Sequence, residues 1–158
     1  MKLLLPEDYQ PDLEARFGLV QQRLARALPW ARIEHVGASA IPGALSKGDL
    51  DVCAIVPQAR FDEALSRVRM LGYAAKSGTL QTDRLRMLVP VGAQDEHAVQ
   101  LVAERSEFDF FVTFRDLLRA DPLLVEAYNT IKRNASSLDE EGYRQAKSAF
   151  IKRVLDKK

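Results

Sequence analysis

The chain has 158 residues, 47% of them hydrophobic, a size that fits one domain built on a core of the usual roughly 100–200 residues. Its 23 basic and 22 acidic side chains leave a formal net charge of +1, which excludes the global field that draws a protein onto nucleic acid or an anionic membrane. The single cysteine, Cys53, excludes an intrachain disulfide framework and a cysteine-rich zinc site, and no apolar run approaches the roughly 18 residues a membrane span needs.

At the start, Leu3, Leu4 and Leu5 give way at once to Pro6, Glu7 and Asp8, too short an apolar stretch for a signal peptide, so the expected compartment is the cytoplasm. From Pro11 onward Leu13, Phe17, Val20, Leu24 and Leu28 recur at three- and four-residue spacing, which predicts an amphipathic helix ended by Pro29. Residues 32–36 alternate and have strand length, and residues 37–48, rich in small and turn-forming side chains, read as a loop. Residues 49–56 form a second strand, polar at its start and apolar beyond, as expected of a central strand that presents a site at one end.

Pro57 closes that strand, and Phe61, Leu65, Val68, Met70 and Leu71 predict a short helix ending at Gly72. Two further strands, residues 84–91 and 98–103, flank a polar turn at residues 92–96 and read as a hairpin. The remainder is helical. Ser106 is the expected cap before Phe108, Asp121 caps a helix with Pro122 at its first position, and residues 137–140 form a capping box for the last helix. No low-complexity linker or repeat interrupts the order, so residues 1–158 are expected to form a single α/β (α+β) domain.

The chemistry concentrates where Gly37, Ala38 and Ser39 are followed, after nine intervening residues, by Asp49-Leu50-Asp51. Residues i and i+2 of a strand share a face, and carboxylates about 7 Å apart can reach common Mg²⁺ ions of the kind that ride on nucleotide phosphates. A turn with small side chains offers backbone amides to the same phosphates. From the residues alone, Asp-x-Asp beside a glycine turn is equally compatible with a solvated loop. Lys47, just ahead of the aspartates, can meet a triphosphate or remain an ordinary loop lysine. Arg84 and Arg86 share a face of their predicted strand. Lys132 follows Tyr128 by four and Lys147 follows Tyr143 by four, so each lysine shares a helix face with a ring on which its stem can pack. With only His35 and His97, a histidine-based metal site has little material, and both are read as hydrogen-bonded strand residues.

The run Arg32-Ile33-Glu34-His35-Val36-Gly37-Ala38-Ser39-Ala40-Ile41-Pro42-Gly43 resembles the signature of the GrpB family, and the likeness continues through residues 47–51, Phe114-Arg115-Asp116, Tyr128, Lys132, Tyr143, Lys147, Phe150 and Ile151. The resemblance implies a polymerase-β-like nucleotidyltransferase fold, a mixed sheet with helices packed on it and a C-terminal helical segment, in a domain also found attached to dephospho-CoA kinase. The residues and the resemblance together lead to the expectation of a site in which Asp49 and Asp51 hold Mg²⁺ or Mn²⁺ and Gly37, Ala38 and Ser39 contact a nucleoside triphosphate, with Lys47, Arg84, Lys132 and Lys147 as further phosphate contacts. Enzymes of that fold generally add a third carboxylate from a neighbouring strand. Here Gln100 stands at that position and supplies a neutral metal ligand, while Asp95, Glu96 and Glu104 flank the strand. Ala38 and Ser39 stand where the family has serine and threonine, and Asp49 adds a carboxylate where it has an aliphatic residue. The expected function is Mg²⁺-dependent transfer of a nucleoside monophosphate to an unnamed acceptor. The alternatives are a non-catalytic nucleotide- or CoA-related binding module and a protein-interaction accessory domain on the same fold.

Overall fold

Strand β2 (Leu50–Val56) is apolar at every position but Asp51, and such a strand is stable only with a neighbour on each edge and cover on each face. The computed structural model, which describes residues 2–92 and 97–157, supplies both. Strand β1 (Arg32–Val36) pairs with β2 antiparallel, and β5 (His97–Ala103) pairs with it parallel on the other side. Strands β4 (Leu85–Pro90) and β3 (Tyr73–Ala75) complete the sheet in the order β1-β2-β5-β4-β3, with only the β2/β5 pair parallel. The 84–91 and 98–103 hairpin is present as the antiparallel β4/β5 pair, its connecting residues 93–96 lying outside the described residues together with Asp95 and Glu96. Strand β3 is not foreseen in the sequence, three residues being too short to show a period.

Alternation along β2 divides the core. Leu50, Val52, Ala54 and Val56 face helices α1 (Pro6–Ala27) and α2 (Phe61–Met70), along with Val99, Leu101 and Ala103 of β5. Asp51, Cys53 and Ile55 face the other way, where Val36, Val102, Leu85, Phe108 and Phe111 make a smaller cluster under the start of α3 (Phe111–Arg119). Helix α1 begins at Pro6 rather than Pro11. A proline lacks only an amide that the first turn leaves unpaired, so Pro6 suits the start, and the stripe from Leu13 to Leu24 holds the helix together past the interior Pro11. The last two helices, α4 (Pro122–Ala135) and α5 (Glu140–Asp156), are capped by Asp121 and Asp139, whose carboxylates accept from Leu123 N and Gly142 N. The cap of α5 is therefore Asp139 and not Ser137, while the Ser106 hydroxyl accepts from Phe108 N in a turn ahead of α3. No helix among the described residues is long and apolar enough to cross a membrane.

Much of the loop between β1 and β2 is buried, at Ser39–Ile41 and Ala44–Ser46, and the backbone polar groups there need partners because a buried unpaired carbonyl or amide is costly. The helices supply them. Tyr9 donates from its hydroxyl to Ala44 O (2.8 Å) and Gln10 Nε2 to Ile41 O (2.8 Å) from α1, and Arg119 Nε donates to Ala40 O (2.9 Å) from α3. From α4, Asn129 accepts from Leu45 N (2.8 Å) and donates to Gly43 O (2.9 Å), and Lys132 Nζ donates to Leu45 O at 2.5 Å.

Lys132 is 1% exposed, and its ammonium lies 3.9 Å from the centroid of the Tyr128 ring. Burial, reinforced by the nearby Lys147 charge and opposed by Asp51, brings its pKa down to about 7. An unfolded lysine titrates near 10.4, so unfolding takes up a proton between those values. The cost of burying Lys132 is complete below pH 7 and fades as the pH rises toward 10, making the native state gain stability over that window. Replacing Lys132 with Met should remove this slope and raise stability at pH 7 by about 1–3 kcal/mol, the loss of one hydrogen bond notwithstanding. Urea unfolding of both proteins at pH 7.0 and 9.5 measures it, and an unchanged pH dependence in the variant would show that the ammonium is not held in a desolvated site.

Candidate functional site

Strand β1 ends at Val36, opposite Asp51 in the β1/β2 register, and the next residue turns sharply. Gly37 has φ +76°, in the region that favours glycine. A Cβ there would lie 2.5 Å from Asp51 Oδ2, so the carboxylate rests directly over the bare Cα of Gly37. The chain continues through a 3₁₀ turn, Ala38–Ala40, closed by Ala40 N to Gly37 O and Ile41 N to Ala38 O, both 3.0 Å. Arg115 of α3 fixes the end of β1. Its Nη1 donates to Glu34 Oε2 and to His35 O, each at 2.9 Å, and its Nε donates to Asp116 Oδ1 at 2.9 Å.

Gln100 faces Asp51 as its position on the neighbouring strand requires, with Nε2 donating to Asp51 Oδ1 at 3.2 Å. The amide is 4% exposed and its Oε1 is buried with no hydrogen-bond partner among the described residues. Asp51 keeps only partial contact with solvent, and burial pushes its pKa up. The Gln100 hydrogen bond and the charges of Lys147 and Lys76 pull the other way, and Asp49 adds to the rise. Lys147 is lowered by burial, held up mainly by Asp51 and pushed further down by Lys47 and Lys76. Tyr143 of α5 stands between the two lysines, its ring centroid 5.7 Å from Lys47 Nζ and 5.2 Å from Lys147 Nζ.

The residues singled out in the sequence thus separate into groups. Gly37, Asp51, Gln100, Lys147 and Lys47 gather at the start of β2, and Asp49 stands at the rim, 3.7 Å from Lys47 Nζ. Asp49 lies outside the strand, which begins at Leu50, so strand alternation does not align its carboxylate with that of Asp51. Ala38 packs toward the α3–α5 cluster, and the Ser39 hydroxyl is bonded to His35 Nε2 at 2.7 Å on the α1 side of β1. Lys132, fully buried beneath the loop, is a support rather than a surface phosphate contact. Arg84 is not part of the gathering. It precedes β4 near Ala103, at the opposite end of the sheet, where its guanidinium meets Glu107 at 2.6 Å and Asp83 at 3.4 Å. Arg86 pairs with Leu101 and so sits on the α1/α2 face, away from Asp51. Lys76, at the end of the short β3, is the charge that sequence reasoning missed. Only the β3/β4 pairing, which carries Lys76 N to Met87 O at 2.8 Å, brings it into range.

The described residues contain no cluster of three or more histidine, cysteine, aspartate or glutamate side chains suited to a metal. They offer instead the Asp51 carboxylate, the unpartnered Gln100 oxygen and Asp49 at the rim, surrounded by Lys47, Lys76, Lys132 and Lys147. Two carboxylates among four lysines are a poor trap for a bare divalent cation. They fit Mg²⁺ that keeps much of its shell in water and phosphate oxygens, the usual state of that ion on a nucleotide.

A solved structure of GrpB from Enterococcus faecalis superposes with a TM-score of 0.77, covering 99% of this chain and 96% of that one at 23% identity. The Cid1 poly(U) polymerase solved with Mg and 3′-dATP bound superposes with a TM-score of 0.56 at 16% identity, over 80% of this chain but only 41% of that one, a likeness that establishes a nucleotidyltransferase-like fold and no more. A UPF0157 protein of Vibrio cholerae is 43% identical over 155 residues, 98% of this chain and 82% of its own length. The profile of the GrpB protein family matches residues 6–157, a span that takes in the described sheet and all five helices, and the chain belongs to that family.

Proposed function

We propose that the residues gathered at the start of β2 bind the Mg²⁺ complex of a nucleoside triphosphate and transfer its nucleoside monophosphate to an acceptor. The observation that carries this reading is the meeting of Asp51 with the open Gln100 oxygen, at a turn whose Gly37 has no side chain, inside a ring of lysines. Structural neighbours solved with nucleotides, Cid1 poly(U) polymerase with Mg 3′-dATP or MgGTP bound, lend support through the fold alone.

In this reading Lys147 and Lys47 meet the triphosphate tail, and Lys132 sets the loop height through Leu45 O. Asp51, Gln100 and Asp49 are the residues that would hold Mg²⁺, which when bound supplies charge neutralisation at the phosphates. Asp51 is poised for that task, because a desolvated carboxylate gains more from a cation than a hydrated one does. The acceptor hydroxyl oxygen attacks the α-phosphorus and gives its proton to solvent, the bond between the α-phosphorus and the bridging oxygen to the β-phosphate breaks, and pyrophosphate departs toward Lys147 and Lys47.

A second reading, binding without transfer, rests on one residue. Gln100 occupies the place of a third carboxylate and brings no charge, so transition-state neutralisation is weaker than with three. The association of related domains with dephospho-CoA kinase suggests a CoA-related nucleotide as ligand in that case.

Saturating Mg-ATP at about a hundred times its Kd should stabilise the protein by about 2.7 kcal/mol, a rise in melting temperature of about 5–10 °C. Asp51→Asn should lose most of that rise without unfolding; an undiminished shift would place the nucleotide elsewhere. Gly37→Ala should lose the same shift, because the added methyl displaces Asp51 Oδ2, and the φ of +76° should cost about 1–3 kcal/mol of stability besides. Gln100→Glu should bind Mn-ATP about tenfold more tightly, or ~1.4 kcal/mol. Without metal the same variant should be less stable, since a third carboxylate repels the other two. Calorimetric titration with Mn²⁺ and ATP, followed by an assay of pyrophosphate release, reads both. Equal affinity would detach Gln100 from the ligand, and tighter binding with no pyrophosphate would favour the second reading.

A further inference from the structure

His35 and Val36 are neighbours on β1 and point to opposite faces, so the residue beside the one that meets Asp51 belongs to a different environment. His35 is 4% exposed and stacks on Phe17 of α1, ring centroids 4.9 Å apart. Its Nδ1 lies 2.9 Å from Glu14 Oε2 and its Nε2 lies 2.7 Å from Ser39 Oγ. Glu14, an acceptor when ionised, takes the proton on Nδ1, which leaves Nε2 as the acceptor for the serine hydroxyl. Burial, only partly offset by Glu14, lowers the pKa of His35 and keeps the ring neutral at pH 7. A hydroxyl bonded to an imidazole that is oriented by a carboxylate is the arrangement that activates a serine nucleophile.

The three residues do not close on a solid core. Glu14 and Ser39 line a cavity of about 350 Å³ together with Gln10, Pro42 and Arg119. Arg119 donates through Nε to Ala40 O, and no carboxylate pairs with it among the described residues. Its charge acts on His35, so a guanidinium stands on the wall of this cavity near the imidazole, where it can receive an anionic group of a ligand.

We propose that Ser39, His35 and Glu14 form a second site, separate from the residues gathered around Asp51, that hydrolyses small carboxylic esters bearing an anionic group for Arg119. Ser39 Oγ attacks the ester carbonyl carbon and its proton passes to His35 Nε2. The tetrahedral adduct collapses with cleavage of the bond to the alcohol oxygen, and the alcohol leaves with that proton. Water then attacks the acyl-serine by the same relay, releasing the carboxylic acid and restoring the hydroxyl. The role does not depend on nucleotide binding at Asp51.

The test uses the full chain with a fluorophosphonate probe and two p-nitrophenyl esters, the hemisuccinate and the acetate. Peptide mass spectrometry should find the probe on Ser39, Ser39→Ala should not be labelled, and Glu14→Gln should be labelled at least tenfold more slowly. The hemisuccinate should be cleaved faster than the acetate, a preference that Arg119→Ala abolishes. Circular dichroism controls for folding. If Ser39→Ala does not fold, Ser39→Cys should instead be alkylated by chloroacetate at least tenfold faster than free cysteine at pH 7, with the 1%-exposed Cys53 inert as an internal reference. A wild-type protein that takes up no probe, equal labelling of wild type and Ser39→Ala, or an introduced thiol in Ser39→Cys that reacts no faster than free cysteine would each overturn the proposal.

Discussion

The contact on which the site depends is the one between the Asp51 carboxylate and the Cα of Gly37. Any side chain at position 37 would occupy the place of Asp51 Oδ2, and the backbone there adopts a conformation in which only glycine is at ease. Because Val36 pairs with Asp51 in the register, the end of β1 and the start of β2 cannot separate to relieve the crowding without breaking the ladder. Arg115 makes that end of β1 stiffer still by bonding Glu34 and His35 O from α3. The position of Asp51 is therefore set by backbone, which holds a group more tightly than side-chain packing does.

This geometry explains what could and could not be read from the sequence. The β1 strand, the glycine turn and the pairing of Lys132 with Tyr128 and Lys147 with Tyr143 are legible because each lies within a few residues and follows from a fixed repeat. The same rule failed for Asp49, since strand alternation holds only inside the ladder and β2 starts one residue later. It failed for Arg84 for a different reason. Period two orders side chains along a strand but does not say which end of the strand meets the site, and β4 runs antiparallel to β5, carrying Arg84 to the far end. Lys76 was invisible because its place depends on a strand of three residues.

The burial of Lys132 shows a further limit. A lysine four residues after a tyrosine reads as a stem on a ring with its charge in water, yet here both the stem and the charge are inside. What draws the ammonium inward is a carbonyl of the β1–β2 loop, contributed by a segment 87 residues away in the chain. Asn129, one turn earlier on α4, bonds the same loop at Gly43 and Leu45, so α4 acts as a template against which the loop is laid. Sequence periodicity reports the face of a helix, and only the fold decides what that face meets.

Several groups at the start of β2 are held at a cost. Asp51 is pushed toward its protonated form, Lys132 and Lys147 toward their neutral forms, and the Gln100 oxygen is buried without a donor. These departures do not cancel within the protein, because the aspartate and the lysines lose hydration together while Lys147 disfavours the charge on Lys132 and Lys47 disfavours that on Lys147. A polyphosphate entering with its cation, as proposed, would address Asp51, Lys147 and Gln100, while Lys132 stays bonded to Leu45 O beneath the loop. In that proposed complex the phosphate oxygens would accept from Lys147 and Lys47, and the cation would meet Asp51 and the open amide oxygen. Each partner would then restore the charged form that burial disfavours, so the affinity of such a ligand would draw on electrostatic energy already stored in the fold, and a neutral ligand of the same shape would gain none of it.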